Sequence, residues 1–129
     1  MQLDQHHDDI VKGVYQELKH IFDSSEQAMF IYLDDVHKLC NEKFSSLLGY
    51  MSPEEWAGIE QSFPDTFVEK KSRQALVSAY QNVLEKKIGS TIDITWRKKT
   101  GEPVLTTVMM VPMMHKGHLC ALHFISKKK

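Results

Sequence analysis

The chain has 129 residues, of which 42% are hydrophobic and 26% charged, a composition typical of one globular domain. Its formal net charge of −1 predicts no general attraction to nucleic acid or to an anionic membrane. No apolar run approaches the roughly 18 residues of a membrane helix, so no transmembrane segment is expected.

The first region, residues 1–24, predicts an amphipathic helix. Its apolar residues recur at helical spacing and form a stripe made of Ile10, Val14, Leu18 and Ile21. Such a stripe needs a cover, so this helix is expected to cap the domain or to pair with a second copy. The histidines His6 and His7 are interpreted as part of a frayed polar end.

Strands and short helices are predicted next. A β-prone run over residues 28–33 is broken by Asp34 and Asp35, and a short partner strand follows over residues 36–40. Asn41 is placed to cap one short helix, and Ser52 with Pro53 is placed to open another.

The longest helix is expected over residues 66–87, with Thr66 and Glu69 as a capping box and Gly89 as its stop. After Gly89 the apolar period changes from helical to alternating. Three strands joined by tight turns then predict an antiparallel meander that ends near Ser126.

The predicted fold is therefore α+β, with a five-stranded antiparallel sheet, helices on one face and an N-terminal amphipathic helix. Residues 25–126 form the main domain, and residues 127–129 form a basic tail.

The order of elements and several local motifs together resemble the PAS family over roughly residues 25–125. The motifs are Tyr32-Leu33-Asp34-Asp35, the segment from Asn41 to Tyr50, Ser52-Pro53-Glu54-Glu55-Trp56, Phe63-Pro64-Asp65 and the turn from Arg97 to Glu102. The chain departs from many signalling members after the last strand. There, Phe124-Ile125-Ser126-Lys127 replaces an aspartate-threonine coupling motif.

The resemblance implies a cytoplasmic sensory or regulatory module. Such a module holds a small ligand between the sheet and the long helix, or pairs with a protein partner in signal transduction. Haem is not expected, because the predicted long helix contains no histidine. A flavin-cysteinyl adduct is not expected either, because Cys40 ends a strand and lacks the polar context that such an adduct needs. The cofactor is therefore left open.

Pocket candidates sit on the elements expected to enclose the cavity, and the ligand is expected to be apolar or aromatic. They are Phe30, Tyr32, Phe44, Leu48, Trp56, Leu76, Tyr80, Ile94, Val108, Met110 and Leu122. A register shift of one residue would exchange each strand candidate for its neighbour.

Possible metal ligands cluster near the end of the chain, at His115, His118, Cys120 and His123. Strand alternation points His118 and Cys120 to one face and His123 to the other, so the four do not converge. No metal site is therefore predicted. The two cysteines lack framework spacing, which favours a reducing, cytoplasmic setting.

A methionine-rich strand predicts an apolar outer face on the sheet. Met109 and Met113 point to one side and Met110 and Met114 to the other. A homodimer is favoured as the cover of this face, with Ile10, Val14, Leu18, Ile21, Met109 and Met113 as interface candidates. Cover by the N-terminal helix of the same chain is the alternative.

Two other functions stay open. One is a ligand-free dimerisation or scaffold domain with a filled core. The other is a small cone-fold, isomerase-type enzyme that uses Asp34 or Tyr32, which would require a carboxyl group with a raised pKa. The chain is predicted not to be an enzyme, because no nucleophile or phosphate-binding loop accompanies these residues.

Overall fold

The computed structural model describes the backbone of residues 2–128 and the side chains of residues 6–128. The helices are α1 (Gln2–Ser24), α2 (Glu42–Leu47), α3 (Pro53–Ala57), α4 (Phe63–Phe67) and α5 (Lys70–Lys86). The strands are β1 (Ala28–Tyr32), β2 (Lys38–Cys40), β3 (Ser90–Arg97), β4 (Pro103–His115) and β5 (His118–Lys127).

The five strands form one antiparallel sheet in the order β2-β1-β5-β4-β3. The predicted meander is confirmed, since β3 pairs with β4 and β4 pairs with β5. Strand β1 adds to the free side of β5, with Phe30 opposite His123. The α+β fold predicted from the sequence is therefore correct.

Helices α2 to α5 pack on one face of the sheet, here called the inner face. The core on this side is rich in large aromatic side chains, among them Phe30, Phe44, Trp56, Phe67 and Trp96. Phe44 packs edge-on against both tryptophans, with ring centroids 5.3 Å apart in each pair. Truncating one such buried ring to alanine costs about 3–5 kcal/mol in typical proteins, so this layer dominates the stability of the domain.

The caps predicted for α2 and α3 are present. The side chain of Asn41 accepts a hydrogen bond from the Phe44 amide at 3.1 Å, and that of Ser52 accepts one from the Glu55 amide at 3.0 Å. Asn41 also accepts a bond from the Met29 amide at 3.0 Å, which ties the start of α2 to β1.

The long helix is shorter than predicted. The chain instead forms α4 and α5, separated by Val68 and Glu69, so the capping box of Thr66 and Glu69 does not form. Val68 makes a bridge to Trp96, and the Glu69 amide donates to the Thr95 carbonyl at 3.0 Å. Pairing with the edge of β3 therefore overrides the local helical preference at these two residues.

Helix α1 covers part of the opposite, outer face. Ile10 and Val14 pack there with Met29, Ile31 and Cys120. The helix approaches the sheet closely at Gly13, where a Cβ atom would lie 2.5 Å from Nε2 of His115. A larger residue here would have to displace the His115 ring, so glycine favours this close approach.

Both ends of the chain differ from the prediction of loose polar tails. Helix α1 extends back to Gln2, although Met1 lies outside the described residues. At the other end, Lys127 belongs to β5 and the Lys128 ammonium bonds Asp93 at 2.9 Å, while Lys129 is not described. No helix within residues 2–128 combines the length and hydropathy needed to cross a bilayer.

Candidate functional site

A cavity of about 220 Å³ lies between the inner face of the sheet and helices α4 and α5. It is lined by Phe30, Tyr32, Phe63, Pro64, Leu76, Val77, Tyr80, Gln81 and His123. Two larger clefts, of about 450 and 460 Å³, lie beside α1, but they are lined by charged residues such as Asp23 and Glu42. The smaller cavity is the better candidate for a small-molecule site because its lining is largely apolar.

The alternation of the strands and the period of α5 bring the lining residues together. Phe30 and Tyr32 are two residues apart on β1, so both point inward. His123 lies opposite Phe30 on β5 and points to the same side. Leu76 and Tyr80 line the helical side of the cavity, and they share one face of α5 because they are four residues apart.

His123 is the polar group deepest in this site. Its side chain is only 1% exposed, and its ring stacks on Phe30 with centroids 4.0 Å apart. Its Nδ1 atom has no hydrogen-bond partner among the residues that the structure describes. Burial lowers the pKa of His123 to about 4, opposed in part by the backbone of Phe30 and Ala121, so the ring is neutral at pH 7.

Two tyrosines form one wall of the cavity. The Tyr80 hydroxyl donates to the carbonyl of Tyr32 at 2.9 Å, and the Tyr32 hydroxyl donates to Asp35 at 2.9 Å. Burial raises the pKa of Tyr80 to about 12, and burial together with the Asp35 hydrogen bond raises the pKa of Tyr32. Both phenols are therefore protonated at neutral pH, and their protons are already engaged.

The structure places four of the eleven pocket candidates in the cavity wall. These are Phe30, Tyr32, Leu76 and Tyr80. Six others are buried in the surrounding inner core without lining the cavity: Phe44, Leu48, Trp56, Ile94, Val108 and Met110.

A correction concerns Leu122, which packs on the outer face with the residues beneath α1. Its neighbour His123 takes the inward position, because β5 is registered so that Phe30 opposes His123 and Ile31 opposes Leu122. The sequence reasoning therefore missed His123 as a pocket residue. The signal that would have found it was the alternation itself, which already separated His123 from His118 and Cys120.

The residues predicted to form a dimer interface divide into two groups. Ile10 and Val14 are buried within the chain against the sheet, and Leu18 and Met113 pack around them, so this part of the stripe is covered intramolecularly. Ile21 is exposed, and Met109 is 48% exposed on the outer face of β4. Only Ile21 and Met109 are therefore clearly free to meet a partner.

The turn between β1 and β2 bears on the enzyme hypothesis. Asp34 is half-buried, and burial alone would raise its pKa. Hydrogen bonds from His7, His37 and the turn backbone outweigh burial and lower the pKa to about 2. Asp34 is thus a permanently ionised group at neutral pH, which does not fit the raised pKa that an isomerase-type acid requires.

The four residues considered as metal ligands near the C-terminus do not converge on one point, although His115 and His118 are cross-strand neighbours. His115 is buried against α1 and its Nδ1 lies 3.1 Å from Glu17, while His123 lies on the inner face. Both cysteines are buried and unpaired, and burial raises the pKa of Cys120 to about 11 and also that of Cys40. Neither thiol is activated as a nucleophile.

Comparison with known proteins agrees with this architecture. The family profile described as the PAS fold matches residues 16–126. Among curated protein sequences, none matches this chain.

Solved structures include close matches in shape. The PAS domain of a protein from Colwellia psychrerythraea superposes with a TM-score of 0.69 at 19% identity, covering 89% of this chain and 97% of that one. A PAS domain of nitrogen regulation protein NR(II) from Vibrio parahaemolyticus gives 0.63 at 20% identity, covering 84% and 95%. A PAS domain from a two-component sensor histidine kinase gives 0.65 at 13% identity, covering 89% and 96%. At such identities the likeness shows the fold alone.

Proposed function

Since the chain belongs to the PAS fold family, we propose that it is a sensory module that binds one small neutral ligand and acts as a homodimer. PAS domains are typical of signal-transduction sensors and are generally not enzymes. The observation that carries the ligand proposal is the unpartnered, buried Nδ1 of His123 in the wall of the cavity.

The chemistry of the cavity restricts the ligand class. A buried polar atom without a partner costs about 1–3 kcal/mol, and a ligand that hydrogen-bonds to it removes that cost. None of the lining residues is charged at neutral pH, so an ionic ligand would lack a counter-charge. The favoured ligand is therefore neutral, mainly apolar, and carries one hydrogen-bonding group.

The volume of the cavity restricts the ligand size. An apolar cavity of about 150 Å³ is large enough to bind benzene. The 220 Å³ between the sheet and α5 therefore suits a molecule of about one substituted aromatic ring. Phe30, Tyr32 and Phe63 supply aromatic walls that suit such a ring.

A pair of probes tests this proposal. Phenol and toluene have nearly the same shape, but only phenol has a hydroxyl group that can bond to His123. We expect phenol to bind more tightly than toluene by isothermal titration calorimetry, and the replacement His123→Phe to remove that preference. Val77→Trp, which fills the cavity, should abolish the binding of both phenol and toluene. Asn82→Trp, on the exposed side of α5, is the matched control and should leave the binding of both probes unchanged.

The opposite result would favour a ligand-free scaffold. If neither probe binds, and native mass spectrometry of the purified protein shows no retained molecule, the cavity is a packing defect of a dimerisation domain. Equal binding of phenol to the wild type and to His123→Phe would overturn the role given to His123.

The proposed dimer uses the part of the outer face that α1 leaves open. Leu105, Met109 and Val111 are exposed there, at successive outward positions of β4 interrupted only by Thr107. Met109 lies directly opposite Phe124 on β5, so the patch extends across two strands. A second copy is the favoured occupant, because a single apolar patch paired by a twofold axis buries the same residues on both subunits without a special partner.

Analytical ultracentrifugation of a charge variant tests the dimer. Met109→Glu places a carboxylate in the centre of the patch and should convert the dimer to a monomer. Met51→Glu is the matched control, since Met51 is 89% exposed in a loop before α3. A wild-type protein that sediments as a monomer at all concentrations would contradict the dimer and leave the ligand proposal standing.

A further inference from the structure

A second cluster of chemically active side chains lies close to the cavity, in the turn that follows Tyr32. His7 on α1 meets the turn between β1 and β2, which carries Asp34 and His37. One potential ligand atom from each of these three residues lies within 4.8 Å of the other two. We propose that His7, Asp34 and His37 form a binding site for a divalent transition-metal ion such as Zn²⁺.

The carboxylate at the centre of the cluster is held in place by the backbone. Oδ1 of Asp34 accepts hydrogen bonds from the amides of Val36 and His37 at 2.9 and 2.7 Å. These bonds fix the Asp34 side chain in a tight turn, so no rotamer freedom has to be lost when it binds an ion. A pre-oriented oxygen ligand is thus provided by the turn alone.

The two imidazoles approach that carboxylate through the same kind of atom. Nδ1 of His7 lies 2.5 Å from Oδ2, and Nδ1 of His37 lies 2.8 Å from Oδ1 and 3.0 Å from Oδ2. In a tetrahedral Zn²⁺ site with bonds of about 2.1 Å, neighbouring ligand atoms are about 3.4 Å apart. The imidazole nitrogens therefore have to move about 0.4–0.9 Å away from the carboxylate oxygens, which is a small side-chain adjustment, and each ring then keeps a proton on Nε2.

The ligand set and its surroundings suit a transition metal. Two imidazoles and one carboxylate are a typical set for Zn²⁺ and related first-row ions, whereas Mg²⁺ and Ca²⁺ prefer oxygen ligands. The ring of His118 lies 5.7 Å from that of His7, which brings a further imidazole beside the trio.

The site joins two parts of the chain that are otherwise linked mainly by apolar packing. His7 belongs to α1, and the other two ligands belong to the rim of the sheet, 27 residues or more further along. An ion bound here would therefore clamp the first turns of α1 onto the domain.

Titration of the chelator-treated full chain with Zn²⁺ tests the proposal. We expect one equivalent to bind, and His7→Gln and His37→Gln each to weaken the affinity at least tenfold. His20→Gln is the matched control, because His20 is an exposed histidine on the same helix. Circular dichroism verifies that each variant is folded. Should His37→Gln fail to fold, Asp34→Asn, which keeps the turn acceptor, replaces it.

Thermal unfolding gives a second readout. Zn²⁺ should raise the unfolding midpoint of the wild type and of His20→Gln, but not that of His7→Gln. Co²⁺ should show visible absorption bands of a nitrogen- and oxygen-ligated ion in the wild type and in His20→Gln, but not in His7→Gln. Equal Zn²⁺ affinity in the wild type, His7→Gln and His37→Gln, or no binding at all, would show that the three residues form only a hydrogen-bonded cluster and would overturn the proposal.

Discussion

The two faces of the sheet are closed in different ways. The inner face is sealed by four helices and a layer of interlocking aromatic rings, and most of the polar side chains buried in it, such as Ser72 and Thr106, are hydrogen-bonded. The outer face is covered over only part of its area by the single helix α1, which rests on a smaller apolar cluster and on polar contacts at its rim. The inner face therefore sets the stability of the fold. Contacts on the outer face can be changed by a partner, an ion or a change of conditions with little loss of unfolding free energy.

The largest expected effect concerns His123 on the inner face. Its pKa is about 4 in the folded protein against an ordinary value of 6.5, so the unfolded chain binds the proton more readily. Stability is therefore complete above pH 6.5 and falls as the pH drops towards 4, by about 3 kcal/mol. Urea unfolding of the wild type and of His123→Phe at several pH values measures this loss. On acidification the unfolding free energy of the wild type should fall relative to that of His123→Phe. A difference between the two free energies that does not change with pH would contradict the buried, neutral histidine.

The next effect concerns a buried polar pair on the inner face. Thr106 accepts a hydrogen bond from Nε1 of Trp96 and donates one to the carbonyl of Ile94, each at 2.8 Å. Thr106→Val leaves the indole N–H buried without a partner and should cost about 1–3 kcal/mol of unfolding free energy. Thr107→Val is the control on the outward side of the same strand and should cost under about 0.5 kcal/mol. Equal losses would remove the distinction between the two faces.

A smaller loss is expected where α1 meets the sheet. Gly13→Ala favours the helix by about 1 kcal/mol, but the new methyl group collides with His115. Overpacking of this kind costs about 1–3 kcal/mol, so the net change should be a loss of about 1 kcal/mol. The double replacement Gly13→Ala with His115→Ala removes the collision, and its unfolding free energy should exceed that of His115→Ala alone. If it does not, the close approach at Gly13 is not what limits this position.

The smallest effect is expected from the ionic contact at the rim of α1. Glu17 lies 3.1 Å from Nδ1 of His115, but the carboxylate is largely exposed. Exposed pairs contribute little, so Glu17→Gln should lower the unfolding free energy by under about 0.5 kcal/mol in moderate salt. A loss above about 1 kcal/mol would mean that polar contacts, rather than the cluster around Val14, hold α1 on the sheet.

Most of the fold could be predicted from the sequence because the signals that determine it are local. The caps at Asn41 and Ser52, the glycine turns and the alternation after Gly89 each act over a few residues, and the structure follows them. The break at Val68 was invisible, because it depends on pairing with Trp96, which lies 28 residues further along.

The candidate sites depended even more on distant contacts. Whether Leu122 or His123 faces the cavity is set by the register of β5 against β1, and these strands are far apart in the chain. The meeting of His7 with Asp34 likewise follows from the angle at which α1 crosses the sheet. Periodicity alone does not encode such an angle, so His6 and His7 looked like an unstructured end.

The positions of the two free cysteines provide the protein with one internal reporter for each face. Cys120 is buried beneath α1, and Cys40 belongs to the inner core. A thiol reagent reaches a buried sulfur only when the layer above it opens, so each modification rate measures the opening free energy of its own layer. With Cys40→Ala and Cys120→Ala as single-thiol versions, the detachment of α1 is recorded separately from global unfolding. Any ligand, ion or second subunit that stabilises one face then reveals which face it acts on.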